Sequence, residues 1–150
     1  YEDAYSPLCL IAANNDDADE IMAHLEAYCR RVPDLTLVRN DVYARFSHAA
    51  YNKGTALSEI AHQLRVRSDQ VLAAGDHYND LPMLANQRAR WLLAPANAVA
   101  LVKETVRKQL GYVSALPCGD GLLDGLLSIL ENSGPRSSAV HREDSAEVTR

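Results

Sequence analysis

At 150 residues and 16.5 kDa the chain has room for one sizeable core and not two. Apolar residues make up 47% and charged residues 23%, ordinary for a soluble globular protein, which excludes a wholly disordered chain, a collagen-like one and a disulfide scaffold. The net charge of −5 argues against a broad nucleic-acid-binding face, and no run of about 18 apolar residues marks a membrane span, so neither nucleic acid nor membrane is expected as a partner.

The first apolar run, residues 8–12 (LCLIA), predicts a strand. The polar stretch 14–19 offers helix-capping residues. From about residue 17 to 31, Ile21, Leu25, Tyr28 and Cys29 recur at helical spacing, an amphipathic helix that Pro33 ends. Two β-rich runs, 35–39 and 42–46, flank Asn40-Asp41, a pair suited to a tight turn, and predict a hairpin. The pattern then changes. Residues 54–64 place Leu57, Ile60, Ala61 and Leu64 on one helical face. Residues 70–74 (QVLAA) read as a short buried strand, and 75–79 as a polar loop. Residues 80–86 read as a short helix with Pro82 in its first turn, where proline is tolerated. Residues 91–93 predict a further strand, and 97–110 a helix carrying Val99, Val102, Val106 and Leu110. The segment 119–130, behind a GDG start, predicts a last helix. Strands and helices alternating at this length indicate a parallel α/β layer. Residues 133–150, mostly Ser, Arg, Glu and Asp, read as a flexible tail.

Cys9, Cys29 and Cys118 form no CxxC pair and read as free thiols in a reducing cytosol, so a cytoplasmic location is expected. The five histidines lack metal-ligand spacing. The opening residues YEDAYSP carry no signal-peptide pattern and no initiator methionine, consistent with a processed or cropped chain.

Two stretches carry chemistry. In the first, the strand ending at Ala74 runs into Gly75-Asp76, and Asn79-Asp80 follows. In parallel sheets ligands sit at the carboxyl ends of strands, so Asp76 points into that crevice and Asp80 returns to it. Two carboxylates so close repel unless a cation lies between them, and hard oxygens of this kind suit Mg2+. The plain alternative is a loop Asp and a helix cap. In the second stretch, Lys53-Gly54 opens a helix and sets an ammonium beside free backbone N–H groups, a combination that favours phosphate. His77 and Tyr78, between the acids, read either as pocket-shaping residues or as loop filler.

NKGTAL followed by QVLAAGDHYNDLPML resembles the haloacid dehalogenase-like (HAD) superfamily of phosphohydrolases, specifically the Cof-type and sucrose-phosphatase-like group, whose third and fourth motifs read KGxAL and GDxxND. WLLAPANAVALVKETV and GDGLLDGLLSIL are similar to that group's later segments, and the resemblance covers roughly residues 47–130. It implies a Rossmann-like parallel sheet with flanking helices, the C-terminal half of a HAD core, over 48–132. It also implies the end of an α/β cap over 1–47. Lys53 would hold the phosphoryl group and the charge of the nucleophile. Asp76 would bind Mg2+ directly, Asp80 would bind it through water or orient Lys53, and Asn79 would support the phosphate or the metal. The implied reaction is phosphomonoester hydrolysis through an aspartyl-phosphate, on small substrates such as sugar phosphates.

That reaction needs a DxDGT nucleophile motif, and these 150 residues contain none. The DxD at Asp17-Ala18-Asp19 is followed by Glu20-Ile21 and opens an amphipathic helix, so it reads as a helix start. The expectation is therefore the C-terminal part of a phosphatase, inactive or weakly active alone, whose remaining core half or a homodimer partner covers an otherwise unpaired apolar strand edge. The alternative is a non-catalytic module that keeps the site for phosphate or Mg2+ binding or for assembly.

Overall fold

The structure is a computed structural model that describes residues 8–133; nearly all of the expected tail, 134–150, lies outside the described residues. Two three-stranded sheets divide the chain. The first takes β1 (Cys9–Ile11), β2 (Leu35–Asn40) and β3 (Tyr43–His48), antiparallel in the order β1-β3-β2. Asn40 pairs with Tyr43, so Asp41 and Val42 form a two-residue turn, with Asp41 in the left-handed region at φ 54° that aspartate tolerates. Helix α1 (Asn15–Cys29) packs on β2 and β3. It starts where Asn14, in extended conformation, accepts the Asp17 N–H at 2.9 Å. The Asp17-Ala18-Asp19 triplet thus lies in the first turns of a helix.

The second sheet is parallel, in the order β4 (Leu72–Ala74), β5 (Trp91–Ala94), β6 (Tyr112–Val113). Helices α2 (Lys53–Gln63), α3 (Ala100–Lys108) and α4 (Cys118–Ser133) accompany it. Its core joins Val71, Ala73, Leu92 and Ala94 from the sheet region to Val102 and Val106 of α3 and to Leu84 and Ala89 of the β4–β5 connection. Leu57 and Ala61 of α2 pack against the same cluster. This mixed α/β architecture, with helices flanking a parallel sheet, matches the fold class expected from the alternating elements.

Three details differ from the sequence reading. Residues 80–86 form no α-helix; a 3-10 turn at Tyr78–Asp80 runs on into isolated turns. Pro82 brings no N–H, and Gln109 takes the Leu84 carbonyl and the Asn86 N–H with its side chain, at 2.8 and 2.9 Å, which satisfies the backbone without a helix. Leu110 does not join the apolar face of α3. It follows the helix in the left-handed region at φ 60° and is 96% exposed. Strand β6, only two residues long, leaves no periodic trace in the sequence.

Candidate functional site

The site is built where β4 ends. The Gly75 N–H still bonds the Leu93 carbonyl of β5 at 3.2 Å, and the chain then turns out of the sheet. Asp80, only 4% exposed, folds its carboxylate back over this turn. Its Oδ2 accepts the N–H groups of Asp76 (2.9 Å) and His77 (3.0 Å). A Cβ on residue 75 would lie 2.4 Å from the Asp80 Cβ, so the fold-back requires glycine there. The other oxygen, Oδ1, accepts from the Lys53 ammonium in an ion pair.

Lys53 is brought there by the first turn of α2. Asn52 caps that turn, its Oδ1 accepting the N–H groups of Gly54 (2.9 Å) and Thr55 (3.0 Å), while Thr55 Oγ1 accepts the Asn52 N–H at 3.0 Å. The expectation of free backbone N–H groups beside the lysine is therefore corrected: the cap occupies two of them, and affinity for an anion rests chiefly on the ammonium. Gly54 packs directly on the loop after Asp80, where a Cβ would lie 2.1 Å from the Pro82 carbonyl oxygen. Besides Asp80, the Lys53 ammonium donates to Asn79 Oδ1 at 3.4 Å. The lysine side chain is half exposed, so its charge is held from below and open above.

Burial pushes the Asp80 carboxyl up, but the Lys53 hydrogen bond, the two backbone N–H groups and the charge of Lys53 outweigh it and hold the carboxyl below the ordinary carboxylate range. Asp80 is thus ionised, with both oxygens engaged. Asp76 is different. It is exposed at the end of β4, and its carboxylate has no hydrogen bond or ion pair among the described residues. Among the described residues no group of three or more His, Cys, Asp or Glu gathers as a metal cluster. An exposed carboxylate with no partner among the described residues is nevertheless the kind of donor that suits Mg2+, which typically keeps several waters and takes one or two carboxylates plus substrate phosphate.

Above Lys53 and Asn79 lies a cleft of about 1300 Å3, walled on its far side by Arg39, Asn40 and Tyr43 of the antiparallel layer. All four residues expected at the site (Lys53, Asp76, Asn79, Asp80) are therefore on one loop-and-helix junction. Sequence reasoning missed three contributors. Asn52 was legible as the first position of an Asn-x-x-Thr capping pair. Arg39 and Asp41 left no local signal, because their partners lie across the fold. No described helix is long and apolar enough to cross a membrane.

Residues 2–115 match the family of haloacid dehalogenase-like hydrolases. No curated protein matches the chain. Solved structures do. A haloacid dehalogenase-like hydrolase from B. subtilis is 22% identical, with a TM-score of 0.60 over 83% of this chain and 39% of its own. A Plasmodium vivax hydrolase described as HAD/COF-like is 21% identical, with a TM-score of 0.65 over 83% of this chain and 41% of its own. BT1666 from Bacteroides thetaiotaomicron, analysed among phosphatases of the haloalkanoate (HAD) enzyme superfamily, is 26% identical, with a TM-score of 0.56 over 83% of this chain and 40% of its own. The chain thus spans less than half the length of these structures. With the family match covering most of its residues and a parallel sheet of the same fold carrying the site, the chain belongs to the haloacid dehalogenase-like hydrolases.

Proposed function

We propose that the chain is the C-terminal part of a Mg2+-dependent phosphatase that hydrolyses small phosphomonoesters, with sugar phosphates as the substrate class. The observation that carries this reading is the convergence of Lys53, Asn79 and Asp80 at the end of β4, in the loop that also carries the exposed Asp76, whose N–H bonds Asp80. The likeness to BT1666, described among phosphatases, supports it. Lys53 binds the phosphoryl oxygens as a point charge. Asp80 keeps that ammonium aimed at the cleft, and the acceptor site left on its Oδ1 can take a hydrogen bond from a metal-bound water. Asp76 holds Mg2+ directly, with Asn79 supporting the metal or the phosphate. When bound, Mg2+ supplies neutralisation of the charge that develops on the phosphoryl oxygens.

The nucleophile is proposed to come from outside these residues. Asp17 and Asp19 do not qualify, because both lie in α1 and Asp19 pairs with Arg39. Strand β4 pairs with β5 alone among the described residues, which leaves one edge open for the remaining core half or a homodimer partner. A second reading is a non-catalytic phosphate- or Mg2+-binding or assembly module, for which Lys53 and Asp76 suffice without a nucleophile.

Hydrolysis of p-nitrophenyl phosphate by the full-length gene product, with and without Mg2+, separates the two. The phosphatase reading expects Mg2+-dependent turnover that Asp76→Ala abolishes. Turnover unaffected by Asp76→Ala removes that residue from the site, and absence of turnover on a broad phosphomonoester panel leaves the module reading.

A further inference from the structure

We infer that His77 is a positioning residue: it latches the β2–β3 turn to the loop carrying Asp76, Asn79 and Asp80, and so sets the wall of the cleft against Lys53. The latch itself follows from geometry; its effect on phosphate rests on the proposed function.

The Asp41 N–H donates to His77 Nε2 at 3.1 Å, joining two loops 36 residues apart in sequence, one from each sheet region. A ring nitrogen that accepts a backbone N–H carries no proton, so the neutral ring holds its proton on Nδ1. That Nδ1 is buried and has no hydrogen-bond partner. The bond to Asp41 is therefore the hydrogen bond the ring makes, and it is made with the turn. The turn is itself gripped from behind. Arg39 pairs with Asp19, donates through Nε to the Asp41 carbonyl at 2.7 Å, and donates to Asn15 Oδ1 at 2.8 Å. Asn15 Nδ2 closes the circuit on Asp41 Oδ1 at 2.8 Å. Asp41 is thus held by carboxylate, carbonyl and amide, and the amide hold is His77.

On the other side, the His77 N–H bonds the Asp80 oxygen whose partner oxygen holds Lys53. Tyr78 completes the contact, with its ring edge-to-face with His77 and 5.8 Å from the Arg39 guanidinium. A continuous hydrogen-bonded path runs from α1 through the turn to the phosphate lysine. The wall residues Asn40 and Tyr43 flank the latched turn directly.

The test uses the full chain and three variants. A glutamine at 77 places a side-chain oxygen near the position of Nε2 and removes the orphan Nδ1, whereas an asparagine reaches only the position of Nδ1. Long-range nitrogen NMR is expected to show His77 unprotonated at Nε2 and protonated at Nδ1. His77→Ala and His77→Asn are expected to speed exchange of the Asp41 amide by about tenfold, and to weaken binding of inorganic phosphate in the presence of Mg2+ by about two- to tenfold, the range of one net hydrogen bond. His77→Gln restores both. A proton on Nε2, unchanged Asp41 exchange in His77→Ala, or equal restoration by Asn and Gln overturns the latch. Altered exchange with unaltered phosphate affinity overturns the positioning role. A wild-type chain that binds no phosphate contradicts the proposed function, and the latch is then upheld or overturned by the ring tautomer and the exchange rates alone.

Discussion

Asp80 decides the charge state of the site. Its carboxyl is drawn below the ordinary range against the cost of burial, so it favours the folded state as an anion. A depressed folded pKa contributes stability that is fully present above the unfolded value of about 4 and is lost as pH falls through the folded value. Asp80→Asn is accordingly expected to flatten the acid limb of the stability–pH curve, read as thermal midpoints between about pH 5 and pH 2; an unchanged slope removes Asp80 from that role. Lys53→Ala is expected to weaken phosphate binding about tenfold to a hundredfold, the worth of a charge-assisted hydrogen bond, by calorimetric titration. Equal affinity of the variant contradicts the role given to Lys53. The four candidate residues could be singled out because each sits inside a contiguous motif, KG or GDxxND; that Lys53 meets Asn79 and Asp80 is a product of folding. His77 was visible only as an undecided loop residue, since its partner Asp41 is reached by folding and not by spacing.

Among the elements, the junction of β4, its loop and the start of α2 is held by two close approaches. Gly75→Ala forces a Cβ onto Asp80, and Gly54→Ala forces one onto the Pro82 carbonyl. Each is expected to cost about 1–3 kcal/mol of stability in denaturant unfolding, with Gly75→Ala also displacing the Asp80 carboxylate. The contrast within the helical layer is equally testable. Leu92→Ala, in the buried sheet core, is expected to cost about 2–5 kcal/mol, whereas Leu110→Ala, fully in solvent, is expected to stay within about 0.5 kcal/mol. A large loss at Leu110 would restore it to the apolar face that helical spacing assigns it. The long periodic segments, α1, α2, α3 and α4, were legible within a few residues. The stretch 80–86 was not, because Pro82 and the Gln109 side chain, distant in sequence, satisfy its backbone in place of a helix.

At the scale of the whole molecule, the chain presents an antiparallel layer and a parallel layer with a cleft between them, and the parallel layer is open at β4. Helix α4 leaves Leu123, Leu127 and Leu130 at least half exposed. Edges and faces of this kind associate in water. The isolated 150 residues are expected to sediment as a self-associating species and not as a monodisperse monomer; a folded, monodisperse monomer contradicts the proposal that another body completes the sheet. An open edge on this strand was expected from the missing nucleophile motif, but which body covers it left no mark in the sequence, because both candidates lie outside these residues. The central claim, that Lys53, Asp76, Asn79 and Asp80 form one site for a phosphate and a divalent ion, is tested most directly by backbone NMR titration of the chain with inorganic phosphate and Mg2+. The account predicts saturable shifts confined to the amides around these four residues, with phosphate affinity raised by Mg2+ in the wild type but not in Asp76→Ala. Shifts absent there, or centred elsewhere on the molecule, contradict it.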